Sequence, residues 1–147
     1  MFKCKWFKAY ELVSKAVYNK FGELSWQFFD ADVLADLDII RETWGASITI
    51  NDWYWGGQYN ESGLRSNIDS ILKGKKTLYL SSHVLGCGFD LKDKRGRNAE
   101  LHAHICNLIK QKKLRKIRRV EDLKSTPTWC HCDAFQTHND VLTVFKV

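Results

Sequence analysis

Apolar residues recur at helical spacing through the first third of the chain. Between residues 8 and 21, Tyr10, Leu12, Val13, Ala16, Val17 and Phe21 share one face and Gly22 follows as a stop, which predicts a single amphipathic helix. The aromatic stretch SWQFFD leads to a second helical pattern. Asp30 or Asp32 caps it, Val33, Leu34, Leu37, Ile39, Ile40 and Trp44 form a broad apolar stripe, and Gly45 closes it. Residues 47–50 switch to β-branched alternation and predict a strand.

Residues 51–77 hold neither period and are rich in Gly, Asn and Ser, so they predict a long loop, and a loop of that length in a small domain most often lines a binding site. Phe89 and Leu91 around Asp90 mark a short strand and DKRGR a turn. Residues 98–112 place Leu101, Ile105, Leu108 and Ile109 on one helical face. Three more strands are expected at 117–120, 129–133 and 141–147, with Pro127 just ahead of the second. Helices first and strands later predict an α+β fold, a small antiparallel sheet flanked by helices, in one domain spanning 1–147.

Composition narrows the picture. A chain of 147 residues with 44% hydrophobic and 13% aromatic content has enough apolar surface for a real core. The net charge of +6 is uneven, because KQKKLRKIRR (110–119) places seven basic residues in ten. Such a block suits nucleic acid, an anionic envelope polymer or water; a solvated helix end running into a strand is the plain reading. The five cysteines form no CxxC pair, which points to a reducing compartment during folding. No apolar signal core and no window of membrane-spanning length is present, so neither a signal peptide nor a membrane span is expected.

Candidate chemistry gathers in two segments. SSHVLGCGFD (81–90) sets His83 and Asp90 seven positions apart around two glycines, so that a turn can bring an imidazole and a carboxylate onto one metal ion. Far downstream, TWCHCD alternates so that Trp129, His131 and Asp133 share one strand face, while Cys130 and Cys132 turn inward as core thiols. A His/Asp/His set leaves a fourth coordination position for water, which signals catalysis rather than scaffolding. Taken singly, His83 reads as a polar residue of a turn and His131 as a half-buried strand histidine; the combination makes them ligand candidates. His102 and His104, two apart on a helix, face different directions, and His138 sits in the polar turn QTHND.

Ser81-x-His83-x-x-Gly86-x-Gly88-x-Asp90 followed by Trp129-x-His131-x-Asp133 resembles the SxHxxGxAxD and WxHxD signatures of the zinc D-Ala-D-Ala carboxypeptidase and L-alanyl-D-glutamate endopeptidase family, peptidoglycan hydrolases related in fold to the Hedgehog signalling domain. Upstream, INDWYWGGQYNESGLRS is similar to the segment of phage-encoded members in which a strand enters a loop bearing Gln and Arg. The resemblance runs from about residue 31 to 133. It implies Zn2+ held by His83, Asp90 and His131, with Arg65, Gln58 and Ser81 near a peptidoglycan stem peptide. It further implies an endolysin-like enzyme, made in the host cytoplasm before release to the cell wall or carried in a virion, and monomeric unless assembled there. Two positions depart from the pattern. Gly88 replaces an alanine and is expected only to loosen the turn, and Thr128 stands where several relatives carry a glutamate base. Asp133 is then the expected carboxylate to deprotonate water or orient the ligand, with Glu121 and Asp122 as further candidates. Two other readings remain open: an inactive virion structural protein of the same fold, and a basic nucleic-acid-binding protein with structural histidines.

Overall fold

A sheet of five short strands runs through the molecule in the order β1-β2-β4-β3-β5. A computed structural model describes residues 1–135 and 140–146; His138 and the final position of the predicted 141–147 strand lie outside them. The elements in chain order are α1 (Ala9–Leu12), α2 (Lys15–Phe21), a 3-10 segment (Gly22–Phe28), α3 (Ala31–Trp44), β1 (Ile48–Thr49), a 3-10 turn (Trp53–Trp55), β2 (Gly88–Asp93), α4 (Asn98–Lys110), β3 (Arg119–Glu121), β4 (Cys130–Asp133) and β5 (Thr143–Phe145). Helices and sheet do alternate with an α+β character, but the expected wholly antiparallel sheet is corrected to a mixed one. β1, β2, β4 and β3 pair antiparallel, whereas β5 runs parallel to β3 with Val144 opposite Val120. β5 lies on the outer side of β3, at the edge of the sheet.

The predicted helix over 8–21 divides into α1 and α2 because Val13 and Ser14 are extended. Tertiary bonds capture the break. Leu64 N–H donates to Leu12 O (2.8 Å), Ser14 N–H donates to Leu64 O (2.9 Å), and Asn51 and Trp53 side chains both donate to Val13 O. Ser14 then caps α2 by accepting from Val17 N. Beside this junction Gly63 runs so close to the Leu12 carbonyl that a β-carbon there would overlap it. The interrupted helix thus seats the loop at 61–65, one edge of the site.

Apolar side chains from the helices and from the inner sheet face, among them Leu34, Leu37, Phe89, Leu91, Leu101, Ile105 and Val120, form one buried cluster. Cys130 and Cys132 belong to it as expected. α3 is fixed to the approach to β3 by Asp36, a fully buried carboxylate that accepts from the backbone N–H groups of Arg115, Lys116 and Ile117 (2.6–2.8 Å). Burial raises the Asp36 pKa, opposed by those three donors. No helix among the described residues is long and apolar enough to cross a membrane.

Candidate metal centre

Strand alternation decides which side chains meet on the outer sheet face. Phe89, Leu91, Val120, Cys130 and Cys132 are all fully buried in the core, so Asp90, Arg119, Glu121, His131 and Asp133 project the other way. The register places Asp90 opposite His131, Gly88 opposite Asp133 and Arg119 opposite Asp133. Directly opposed residues of antiparallel strands hold their β-carbons about 4.5–5.5 Å apart, which brings Asp90 and His131 together with no help from loops.

His83 arrives from the turn before β2. Leu85 N–H donates to Ser81 O, Gly86 N–H to His83 O and Cys87 N–H to Ser82 O, folding residues 81–87 back over the sheet. Gly86 has φ +69°, and a β-carbon there would press on the Phe28 carbonyl. Gly88 is needed for a different reason. Its φ is ordinary, but a β-carbon would stand 2.5 Å from Ser82 Cβ, so the close approach of turn and strand excludes one. The expectation that glycine merely loosens the turn is therefore corrected: it admits Ser82, whose Oγ lies 3.3 Å from His131 Nε2.

The three predicted ligands converge. His83 Nε2 is 3.2 Å from His131 Nδ1, His131 Nδ1 is 2.8 Å from Asp90 Oδ1, and His83 Nε2 is 3.3 Å from the same oxygen. Donors about 2.0–2.1 Å from a tetrahedral ion stand about 3.3 Å apart, so the three atoms already have close to the spacing such an ion imposes. These side chains form the one His/Cys/Asp/Glu group among the described residues able to hold a metal ion, and all three are buried.

The far side of each ligand is also engaged. His83 Nδ1 donates to Gly63 O (2.9 Å), which turns Nε2 toward the centre. His131 Nε2 donates to Asp133 Oδ2 (2.8 Å), which turns Nδ1 inward. Asp90 Oδ2 meets Arg65 Nη2 at 3.4 Å, leaving Oδ1 for the centre. Carboxylate or carbonyl partners of this kind fix the ring orientation and tautomer of metal-binding histidines. Burial lowers the His83 pKa and keeps that ring neutral. Burial works in the same direction on His131, but the Asp133 and Asp90 carboxylates outweigh it and hold its pKa at about 9. Asp90 is pushed up by burial, yet its bonds to both histidines take it well below the ordinary carboxylate range.

Asp133 is fully buried behind the triad, and both of its oxygens are occupied by Arg119, through Nε (2.8 Å) and Nη2 (3.0 Å). Of the two roles open to it, orientation of His131 fits this position and abstraction of a proton from water at the open side does not. A cleft of about 620 Å³ opens over the three ligands. Ser81, Arg65, Trp129, Tyr79, Glu121 and Thr126 line it, and Ser81 Oγ also accepts from Val84 N–H (3.4 Å). Gln58 lies apart, in an adjoining cleft of about 390 Å³ that shares Arg65, Asp90 and Trp129 with the first. Thr128 is exposed and lines neither.

Other candidates take structural places. Tyr54 stacks on Tyr10 (4.0 Å) and Trp53 packs near Tyr18, joining the long loop to α1 and α2, while Tyr59 lies under Lys92 Nζ beside the second cleft. His102 Nε2 donates to Glu121 O and His104 bonds Thr43, away from the centre. Ser82 and Arg119 were missed as site residues. Arg119 was concealed in a basic run, although its alternation with Glu121 along a strand was a usable signal.

Comparison of the chain with protein-family models, with curated proteins and with solved structures gave no match.

Proposed function

We propose that this chain is a zinc-dependent peptidase acting on the stem peptides of peptidoglycan. The observation that carries the reading is the meeting of His83 Nε2, His131 Nδ1 and Asp90 Oδ1 within 3.3 Å of one another, at the floor of an open cleft. Two imidazoles and one carboxylate with an open side is a donor set suited to catalytic zinc. Zinc bound there would supply Lewis acidity toward a scissile carbonyl and lower the pKa of water.

The chain's own residues do the rest. The Gly63 carbonyl and Asp133 hold the two rings in register, and Arg119 keeps Asp133 ionised in a buried place, its pKa lowered by the His131 and Arg119 bonds against the effect of burial. Trp129 and Tyr79 wall the cleft. Arg65, already against Asp90, borders both clefts and is placed to attract a substrate carboxylate, while a chain running into the second cleft would meet Gln58. The substrate class rests on the resemblance of the two motifs to the peptidoglycan peptidases. On that reading the protein works on the bacterial wall, as a lysis enzyme or from a virion.

The nucleic-acid reading is supported less well, because part of the basic block is engaged within the molecule. Arg115 and Lys116 pair with Asp32 and Asp30, Arg118 donates to Ile117 O and Arg115 O, and Arg119 is committed to Asp133. An inactive scaffold is favoured only by Thr128. The test is metal analysis of the purified protein, followed by digestion of purified peptidoglycan and synthetic stem pentapeptides, with new amines read by mass spectrometry. One zinc per chain with cleavage is expected, and His83→Ala should lose both. Zinc without cleavage at any pH would leave the inactive scaffold; no stoichiometric zinc would overturn the proposal.

A further inference from the structure

We propose that Glu121, on β3, is the general base of this site, replacing from a neighbouring strand the glutamate that position 128 lacks. The inference rests on the peptidase reading above. Val120 is fully buried in the core, so its neighbours Arg119 and Glu121 turn to the site face. The pairing of Arg119 with Asp133 and Val120 with Cys132, carried on one step, sets Glu121 across from His131. Opposed side chains there start about 4.5–5.5 Å apart at their β-carbons, within reach of one ligand and of the cleft above it.

Elimination among the carboxylates points the same way. Of the residues lining the main cleft, two carry carboxylates, Asp90 and Glu121, and Asp90 is a ligand candidate. Asp133 is closed off by Arg119. Asp122 accepts from Lys124 N–H and pairs loosely with Lys146, and Glu61 is tied to Ser70 and Ile71; neither lines this cleft. Glu121 is buried (8% exposed), and among the described residues no hydrogen bond or ion pair engages its carboxyl.

Thr126 lines the same wall, its hydroxyl buried and without a hydrogen-bond partner among the described residues. The position of Glu121 is rigid as well, since its backbone carbonyl accepts from His102 Nε2 (3.0 Å) and its strand pairs on the other side with Phe145.

In the step assigned to it, the Glu121 carboxylate takes one proton from water while the water oxygen bonds to the scissile carbonyl carbon. The C–N bond then breaks and the proton passes to the leaving nitrogen. Water is consumed, one carboxylate and one amine are formed, and Glu121 returns to its starting state.

Glu121→Gln keeps the shape and removes the proton acceptor. With a synthetic stem pentapeptide as probe, kcat should fall by about 10²–10⁴-fold. Zinc content should stay at one per chain, and calorimetric affinity for the pentapeptide should stay within about twofold. Asp133→Asn should show the opposite split, with zinc affinity lowered by about 10–100-fold as for other partners of metal-binding histidines. Cleavage by Glu121→Gln at the wild-type rate would overturn the assignment and leave the peptidase reading intact, and loss of zinc from that variant would overturn it by making Glu121 a ligand or a structural group. A wild-type protein that holds zinc but cleaves nothing would remove both proposals together.

Discussion

With Ser82 packed against position 88, no room is left for a β-carbon, and Gly88→Ala must push the 81–87 turn away from β2. Forcing extra volume into a packed contact costs about 1–3 kcal/mol. Because Ser82 and His83 ride on that turn, metal binding should weaken along with the fold. Thermal unfolding and zinc titration of the variant check this; an alanine variant matching the wild type in both would show that the turn yields freely. The meeting of His83, Asp90 and His131 was legible from the sequence, since motif and alternation bring these three side chains together. What could not be read was the reason for the glycine. The collision involves a backbone-to-side-chain approach across a fold-dependent gap, and a preference for φ > 0 is not its cause. Asp133 shows the same limit: alternation put it on the correct face, but the Arg119 bonds that decide its role come from a strand whose pairing the sequence left open.

Element boundaries followed local pattern wherever the pattern matched the final packing. α3, with its Asp30 cap and Gly45 stop, and α4 lie close to their expected spans. The helix over 8–21 divides where Leu64 and Asn51, far along the chain, take up the backbone groups of residues 12–14 that a continuous helix would have used. The parallel β5 was invisible for a related reason, as strand direction depends on the path of the intervening loop. Asp36 illustrates an element joint with no local signature, an acidic residue on the buried side of α3. Asp36→Ala would leave three backbone N–H groups in a buried place without an acceptor, at a cost of about 3 kcal/mol or more. Denaturant unfolding should show that loss, whereas a change within about 0.5 kcal/mol would mean that water replaces the carboxylate easily.

On the scale of the whole molecule, charge and aromatic content have been distributed to different tasks than their clustering along the chain suggests. In the basic run from 110 to 119, Arg118 and Arg119 turn to internal bonds, Arg115 and Lys116 form surface ion pairs with Asp32 and Asp30, and Lys110, Lys112 and Lys113 are exposed at the end of α4. The aromatic loop at 53–55 anchors onto the N-terminal helices, and the exposed Trp55 (62%) stands apart from the main cleft. These placements leave one chemically organised face among the described residues, where two strands and one turn deliver two imidazoles and a carboxylate to a common point. X-ray absorption at the zinc edge, on protein loaded with one equivalent of the metal, reads that point directly. The account predicts a first shell of nitrogen and oxygen at about 2.0–2.2 Å with imidazole back-scattering and no sulfur. A sulfur shell near 2.3 Å would place the metal on the cysteines instead, and a spectrum of fully hydrated zinc would mean that His83, Asp90 and His131 do not hold it at all.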